Sequence, residues 1–203
     1  MNQMIARLCT KLIQHKIIME DDREVYEYCI SVFLLNTCYY LICLLVMLYY
    51  KCFLLPTIFI VCFLLLRSYM GGWHAKNMGG CLLFGLLLFT LVVNIFIYLD
   101  IAEQEKVLCS GFSVLFAGWG LRFLGVQDHP NRRLKTEQKL AAKKKCYKIL
   151  VMICLLMLCT SIFQRTDIAF SMALACLVST LLLLLAKFQQ KGREEYETHE
   201  TIL

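Results

Sequence analysis

Residues 67–81 read Arg67-Ser68-Tyr69-Met70-Gly71-Gly72-Trp73-His74-Ala75-Lys76-Asn77-Met78-Gly79-Gly80-Cys81, and they join two strongly apolar segments of the chain. Four of the ten glycines fall here, in two pairs, together with a histidine and a cysteine seven residues apart. Glycine adopts backbone angles that other residues avoid, so each pair marks a place where a helix can end or bend. The stretch therefore predicts a polar turn between two apolar helices.

The composition around this turn indicates a membrane protein. The 203 residues are 60% hydrophobic, with a mean hydropathy of +0.65, which is more apolar surface than one soluble core of this size can bury. The apolar runs are unbroken and the chain has only two prolines, so helices are favoured over the alternating short strands of a transmembrane barrel. The predicted fold class is all-α, a polytopic transmembrane helical bundle forming one domain over residues 1–203.

The twelve cysteines do not predict a disulfide framework. Most lie inside apolar runs, where cysteine behaves as a small hydrophobic residue. The sequence has no CxxC pair and no HExxH motif, so neither a metal nor another cofactor is expected. The net charge of +6 could suggest nucleic acid, but with most of the chain in lipid no nucleic acid partner is expected.

An amphipathic helix is predicted over residues 3–19, within an N-terminal region that covers residues 1–29. Ile5, Leu8, Cys9 and Leu12 share one face, and polar residues share the other. This face could lie on the membrane interface or pack against the rest of the protein, and the pattern does not choose between them. The acidic residues at 20–27 predict a solvated turn.

Six apolar segments follow, within a bundle over residues 30–186. The predicted spans are Ile30–Tyr50, Phe53–Leu66, Leu82–Leu99, Val107–Val126, Tyr147–Phe163 and Ile168–Ala186. The second is short, so it could be a full span continuing toward Met70 or a re-entrant hairpin. Residues 187–203 predict a polar cytosolic tail.

The distribution of basic residues predicts the orientation. With six spans and a cytosolic N-terminus, seventeen Lys or Arg fall on the inner side and three on the outer side. An excess of this kind marks the cytosolic face. Both termini and the 67–81 turn are therefore expected on the cytosolic side. The basic loop at 127–148 falls there too, and Arg132, Arg133 and Lys135 are candidates for contact with anionic lipid or with an acidic peptide.

His74 and Cys81 are the candidate catalytic pair. A thiol attacks a carbonyl as the thiolate, and a neighbouring imidazole can take its proton. On a straight helix, residues seven apart are separated by about 10.5 Å along the axis, whereas a hydrogen bond needs about 3 Å. Residues 71–80 must therefore depart from a straight helix if the two are to meet. A cysteine that begins a helix would also gain from the helix dipole.

The spacing Arg67-x4-Gly72-x-His74-x6-Cys81, followed by an apolar helix and then by Asp128-His129-Pro130-Asn131-Arg132, resembles the accessory gene regulator B family of bacterial quorum-sensing systems. The resemblance covers nearly the whole chain, including the basic N-terminal helix, the six apolar segments and both inner loops. It implies a thiol protease of the bacterial cell membrane, a hydrolase with several transmembrane helices. That enzyme cleaves a small precursor peptide and promotes its cyclisation to a thiolactone or lactone autoinducing peptide.

The resemblance also implies roles for individual residues. Cys81 corresponds to the nucleophile and His74 to its base, while Arg67 and Gly72, with Gly79 and Gly80, would position substrate or shape the loop. The implied partners are the precursor peptide and membrane lipids, and the chain could also form a homodimer. No third residue that orients His74 is evident, because Ser68, Asn77, Asp128 and His129 could each approach it.

One alternative from another class stays open. A membrane transporter or sensor that binds a peptide without cutting it would have the same composition. In such a protein the polar residues Asn94 and Arg122, both within predicted spans, would mark a polar pathway.

Overall fold

The computed structural model describes residues 2–72, 78–126 and 135–200, with side chains from 4 to 190 inside those ranges except at Met78, and all the regular structure in them is helical. A short 3-10 helix at Glu20–Asp22 precedes the second of the seven α-helices in these ranges. The helices are α1 Asn2–Gln14, α2 Arg23–Tyr50, α3 Leu54–Met70, α4 Met78–Tyr98, α5 Glu103–Phe123, α6 Thr136–Ile162 and α7 Thr166–Glu200. The predicted all-α fold class is confirmed.

Four of the described helices are long and apolar enough to cross a membrane. They lie at Glu20–Tyr50, Gly79–Tyr98, Thr136–Ile162 and Thr166–Gln190. Large apolar side chains such as Phe33, Leu87 and Leu155 are exposed on these helices, as expected where the surroundings are lipid. Helix α3 is apolar but has 17 residues, about 25 Å at the α-helical rise. The count of six spans stays a prediction.

The chain divides into two compact units, and the first holds residues 1–51 and 75–91. Here α1 packs its apolar face on α2: Ile5 and Cys9 are buried in a cluster with Ile18, and Ile30 of α2 packs against it. Of the two arrangements left open for the apolar face of α1, the structure shows packing against the rest of the protein. Leu8, predicted on the same face, is nevertheless 46% exposed. In the same unit, Gly85 of α4 lies against the ring of Tyr39 on α2.

The second unit holds residues 52–74 and 92–203, and α7 is its central helix. Helices α3, α5 and α6 all pack against α7. The residues that α7 buries are mostly small, and between 169 and 180 they include Ala169, Ser171, Ala173, Ala175, Cys176, Ser179 and Thr180. Small side chains let neighbouring helices approach closely, which is the usual way for helices to associate in lipid.

Polar contacts tie the first two turns of α7 to the first turns of α3 and α5 at one end of this unit. Ser171 Oγ of α7 donates a hydrogen bond to Leu55 O of α3, at 2.7 Å. Lys106 Nζ of α5 donates to Asp167 Oδ1 of α7, also at 2.7 Å. Helices α3, α5 and α7 therefore start at the same end and run in the same direction.

The opposite end of the unit carries the basic residues at the start of α6. Tyr69 lies in the last turn of α3, and Lys145 Nζ of α6 is 5.4 Å from the centre of its ring. Lys143 Nζ donates to Arg122 O, at 3.2 Å, in the last turn of α5. A lysine at a helix C-terminus stabilises the exposed carbonyls and opposes the helix dipole. The end of α3 and the lysine-rich start of α6 thus share one end of the unit.

Several predicted boundaries were wrong because polar residues continue the helices. Glu24 and Glu27 belong to α2 rather than to a turn, and Glu27 pairs with Arg23 at 2.9 Å. Residues 136–148, predicted as loop, form the start of α6. Residues 187–200 are helical too and extend α7, and that they form a polar cytosolic tail stays a prediction. Lys and Glu have high helix propensity, so a helix that leaves an apolar environment need not end there.

Candidate active site

The helix break predicted between the second and third apolar segments occurs at Gly71. Helix α3 ends at Met70, and Gly71 adopts φ 74°, ψ −152° while its N–H donates to Arg67 O. Gly72 follows with φ 153°. Both φ values lie where a side chain is strained, which explains glycine at these two positions. The chain is therefore not one continuous helix from α3 into α4.

Gly79 and Gly80 lie in a helix and not in the predicted loop. They lie in the first turn of α4, which begins at Met78, so the second glycine pair does not supply the break. A Cβ added at Gly79 would have no atom within 4 Å. These residues leave the start of the helix without bulky side chains.

Cys81 is the fourth residue of α4, and its side chain is partly exposed. It is a free thiol, as are the other eleven cysteines. The first turn of an α-helix carries backbone N–H groups with no partner inside the helix, and their partial positive charge favours a nearby anion. Five cysteines are buried, at 9, 43, 62, 146 and 176, and four, at 29, 38, 109 and 159, are more exposed than Cys81. Cys81 is therefore distinguished by its location in the first turn of a helix and not by its exposure.

Arg67 and Gly72 come together in the second unit. The Arg67 guanidinium lies over the Phe63 ring, with Cζ 5.6 Å from the ring centre. Gly72 is buried, and a Cβ there would lie 3.6 Å from Arg67 Nη1 and 3.8 Å from Leu182 Cβ. The backbone that leaves α3 is therefore packed near an arginine of α3 and a leucine of α7.

The remaining candidates fall in three groups. His74, Asn77, Asp128, His129, Arg132 and Arg133 lie outside the described residues. Cys81 belongs to one compact unit and the Arg67–Gly72 pair to the other. Because His74 lies outside the described residues, its pairing with Cys81 stays a prediction. Lys135 is exposed at the N-cap of α6, and its backbone N–H donates to Gln138 Oε1 at 3.1 Å. Ser68 is exposed, and its hydroxyl donates to Leu64 O at 2.7 Å.

The two polar residues of the transporter alternative lie far apart in sequence and differ in setting. Asn94 is half-buried in α4, whereas the Arg122 side chain is exposed at the end of α5. No group of three His, Cys, Asp or Glu side chains comes together to hold a metal ion within the described part of the chain.

Sequence reasoning missed the surroundings of Arg67. Phe63 precedes it by four residues on one helix, a spacing that places two side chains on the same face, so this contact had a signal in the sequence. Leu182 of α7 and Lys145 of α6 are distant in sequence, and only the packing of the helices brings them to the end of α3.

These features define a helical membrane protein whose candidate nucleophile lies in the first turn of the apolar helix that follows the break at Gly71-Gly72. The model of the accessory gene regulator B family matches residues 5–185, a range that includes every candidate site residue. The chain belongs to this family. The family is associated with quorum-sensing peptide processing. No curated protein and no solved structure matches the chain significantly.

Proposed function

We propose that this protein is a membrane cysteine endopeptidase that cleaves a small quorum-sensing precursor peptide and promotes its cyclisation. The observation that carries the proposal is the placement of Cys81. It is a partly exposed thiol in the first turn of an apolar helix, inside the region that matches a family associated with peptide processing.

The reaction needs only the groups of the two proposed catalytic residues and the substrate. His74 takes the proton of the Cys81 thiol, and the thiolate attacks a carbonyl carbon of the precursor. The peptide C–N bond breaks, the imidazolium gives its proton to the leaving amine, and the tail departs. The upstream part remains on Cys81 as a thioester.

Cyclisation follows from the chemistry of that thioester. A thiol or hydroxyl of the bound peptide attacks the thioester carbonyl, a thiolactone or lactone forms, and the Cys81 thiol is regenerated. No oxidant or other co-reactant is needed. Backbone N–H groups of Gly80 and Cys81, in the first turn of α4, suit the stabilisation of the oxyanion in both steps.

Arg67 and Gly72 are proposed to shape the segment that carries His74. Gly72 is two residues from His74 and is buried against the Arg67 guanidinium. An arginine here can both hold the backbone and attract an acidic part of the precursor.

The site is proposed to face the cytosol of a bacterial cell, in a multi-pass protein with both termini inside. The end of α3 and the start of α6 share one end of the second unit, and the start of α6 is rich in lysine. A basic end is expected on the inner side. A newly made precursor would reach it there, and Arg132, Arg133 and Lys135 would contact the peptide or anionic lipid. A homodimer is compatible with this arrangement.

The proposal is tested by expressing the protein with its precursor and measuring cleavage on gels. We expect Cys81→Ser and His74→Ala each to abolish cleavage while membrane insertion is unchanged. Cys109→Ser is the matched control, since Cys109 is also an exposed free thiol on a helix. If either site variant cleaves at the normal rate, the dyad is wrong. Peptide binding without cleavage by the wild type would favour the transporter or sensor alternative.

A further inference from the structure

Helix α3 carries a row of two aromatic rings, Phe59 and Phe63, that ends at Arg67. Phe59 is 2% exposed, and its ring stacks on the ring of Phe63 with centres 5.7 Å apart and planes at 8°. The guanidinium of Arg67 lies over Phe63 in turn. The spacing of four residues brings these three side chains into one row.

Each member of the row limits the freedom of the next. Phe59 is fixed by its burial, so a ring stacked on it has few alternative rotamers. A cation over an aromatic face is attracted by the ring quadrupole, and arginine also stacks on the ring through its planar guanidinium. An arginine side chain has many rotamers when it is unsupported. Phe63 therefore selects one orientation of Arg67.

That orientation bears directly on the backbone beyond α3. Arg67 Nη1 and Leu182 Cβ both lie at van der Waals distance from a Cβ placed on Gly72, at 3.6 and 3.8 Å. Gly72 is itself buried. The guanidinium is thus part of the packing around the backbone that follows α3.

We infer that Phe63 is a positioning residue of this protein, which holds the Arg67 guanidinium against Gly72 and thereby supports the backbone two residues before His74. Its effect on cleavage rests on the proposed function. Its effect on Arg67 does not, since the geometry of the row is independent of any reaction.

The direct test uses phenylglyoxal, which modifies arginine side chains, on the full-length protein in membranes. The rate of modification at Arg67 is followed by mass spectrometry. We expect Phe63→Leu to raise this rate and Phe63→Tyr, which keeps the ring, to leave it near the wild-type value. The matched control is Phe116→Leu in α5. Phe116 is also half-buried and stacks on a phenylalanine four residues before it, at 5.9 Å and 9°, but the residue four positions after it is Gly120.

The same variants are then assayed for precursor cleavage. We expect Phe63→Leu to lower kcat/KM by about three- to thirty-fold, the range expected for loss of one cation–π contact. Phe63→Tyr should restore the rate, and Phe116→Leu should not change it. An unchanged phenylglyoxal rate in Phe63→Leu, or equal defects in Phe63→Leu and Phe63→Tyr, would overturn the inference. Failure of the wild type to cleave would overturn the proposed function, whereas the phenylglyoxal result would still decide the role of Phe63.

Discussion

Gly72 lies against the guanidinium of Arg67, so that a Cβ on Gly72 would be 3.6 Å from Arg67 Nη1. That distance is an ordinary contact and leaves room for a methyl group. The constraint on residue 72 comes from its φ of 153°, which is accessible to glycine and costly for other residues. Backbone conformation therefore decides which residue can stand here.

The first prediction compares two glycines of the loop region. Gly72→Ala should cost about 1–3 kcal/mol of local strain and should lower cleavage, because the segment toward His74 must change its path. Gly79→Ala should keep cleavage and stabilise the helix by about 0.5–1 kcal/mol, since Gly79 is helical with open space around it. Cleavage and thermal unfolding in detergent measure the two effects. Equal loss of activity in both variants would contradict the different roles given to the two glycine pairs.

A second prediction concerns the packing of α5 on α7. A Cβ on Gly120 would lie 2.5 Å from Thr180 Cγ2, so Gly120→Ala should destabilise by about 1–3 kcal/mol of overpacking. This exceeds the roughly 0.5–1 kcal/mol that alanine gains over glycine in a helix. Thermal unfolding should show a lower midpoint for this variant.

The clash in Gly120→Ala can be removed by a second substitution at Thr180. Thr180→Ser deletes Cγ2 and keeps the hydroxyl that donates to Cys176 O, so it should restore the stability of Gly120→Ala. The control is Gly118→Ala, where no atom lies within 4 Å and no loss is expected. A double variant no more stable than Gly120→Ala would show that the cost has another origin.

A third prediction follows from the ion pairs at the other end of α5, outside the predicted span. The hydrogen bond to Asp167, with a further one to Glu103, raises the pKa of Lys106 above its ordinary 10.5. A raised folded-state pKa adds stability that is complete below 10.5 and is lost as the pH rises through the folded value. Above pH 10.5, the temperature midpoint of unfolding should therefore decrease more in the wild type than in Lys106→Met. Identical profiles for the two proteins would show that the pair contributes nothing to stability.

The fourth prediction tests orientation with single introduced cysteines, after the native cysteines have been replaced by serine. Lys144 and Arg165 are both exposed, at the start of α6 and at the turn before α7. A membrane-impermeant maleimide applied to intact cells should label Arg165→Cys and spare Lys144→Cys, since the basic end is expected inside. Labelling of Lys144→Cys from outside would reverse the proposed topology.

The sequence predicted the features that depend on local chemistry. The apolar runs indicated the helices, and Gly71-Gly72 indicated the break after α3, because a φ of 74° at Gly71 suits glycine. Helix ends were harder to predict. Lysines and glutamates continue helices beyond the apolar segments, as at 136–148 of α6, and hydropathy does not register this.

Contacts between distant residues could not be predicted. Nothing in the sequence near Gly72 indicates Leu182, and nothing near Tyr69 indicates Lys145, because both contacts depend on how α3, α6 and α7 pack. Gly79-Gly80 illustrates a related error. Two glycine pairs look alike in sequence, but the second lies within the first turn of α4, and only the conformation separates them.

The most direct test of the central claim is to trap the acyl-enzyme on Cys81. Membranes containing the wild-type protein are mixed with the precursor, quenched in acid, and analysed by mass spectrometry of the peptides that contain each cysteine. We expect the upstream part of the precursor on Cys81 alone, released by hydroxylamine as a thioester and absent from His74→Ala. Cleavage of the precursor with the adduct on another cysteine, or undiminished cleavage by Cys81→Ser, would contradict the account.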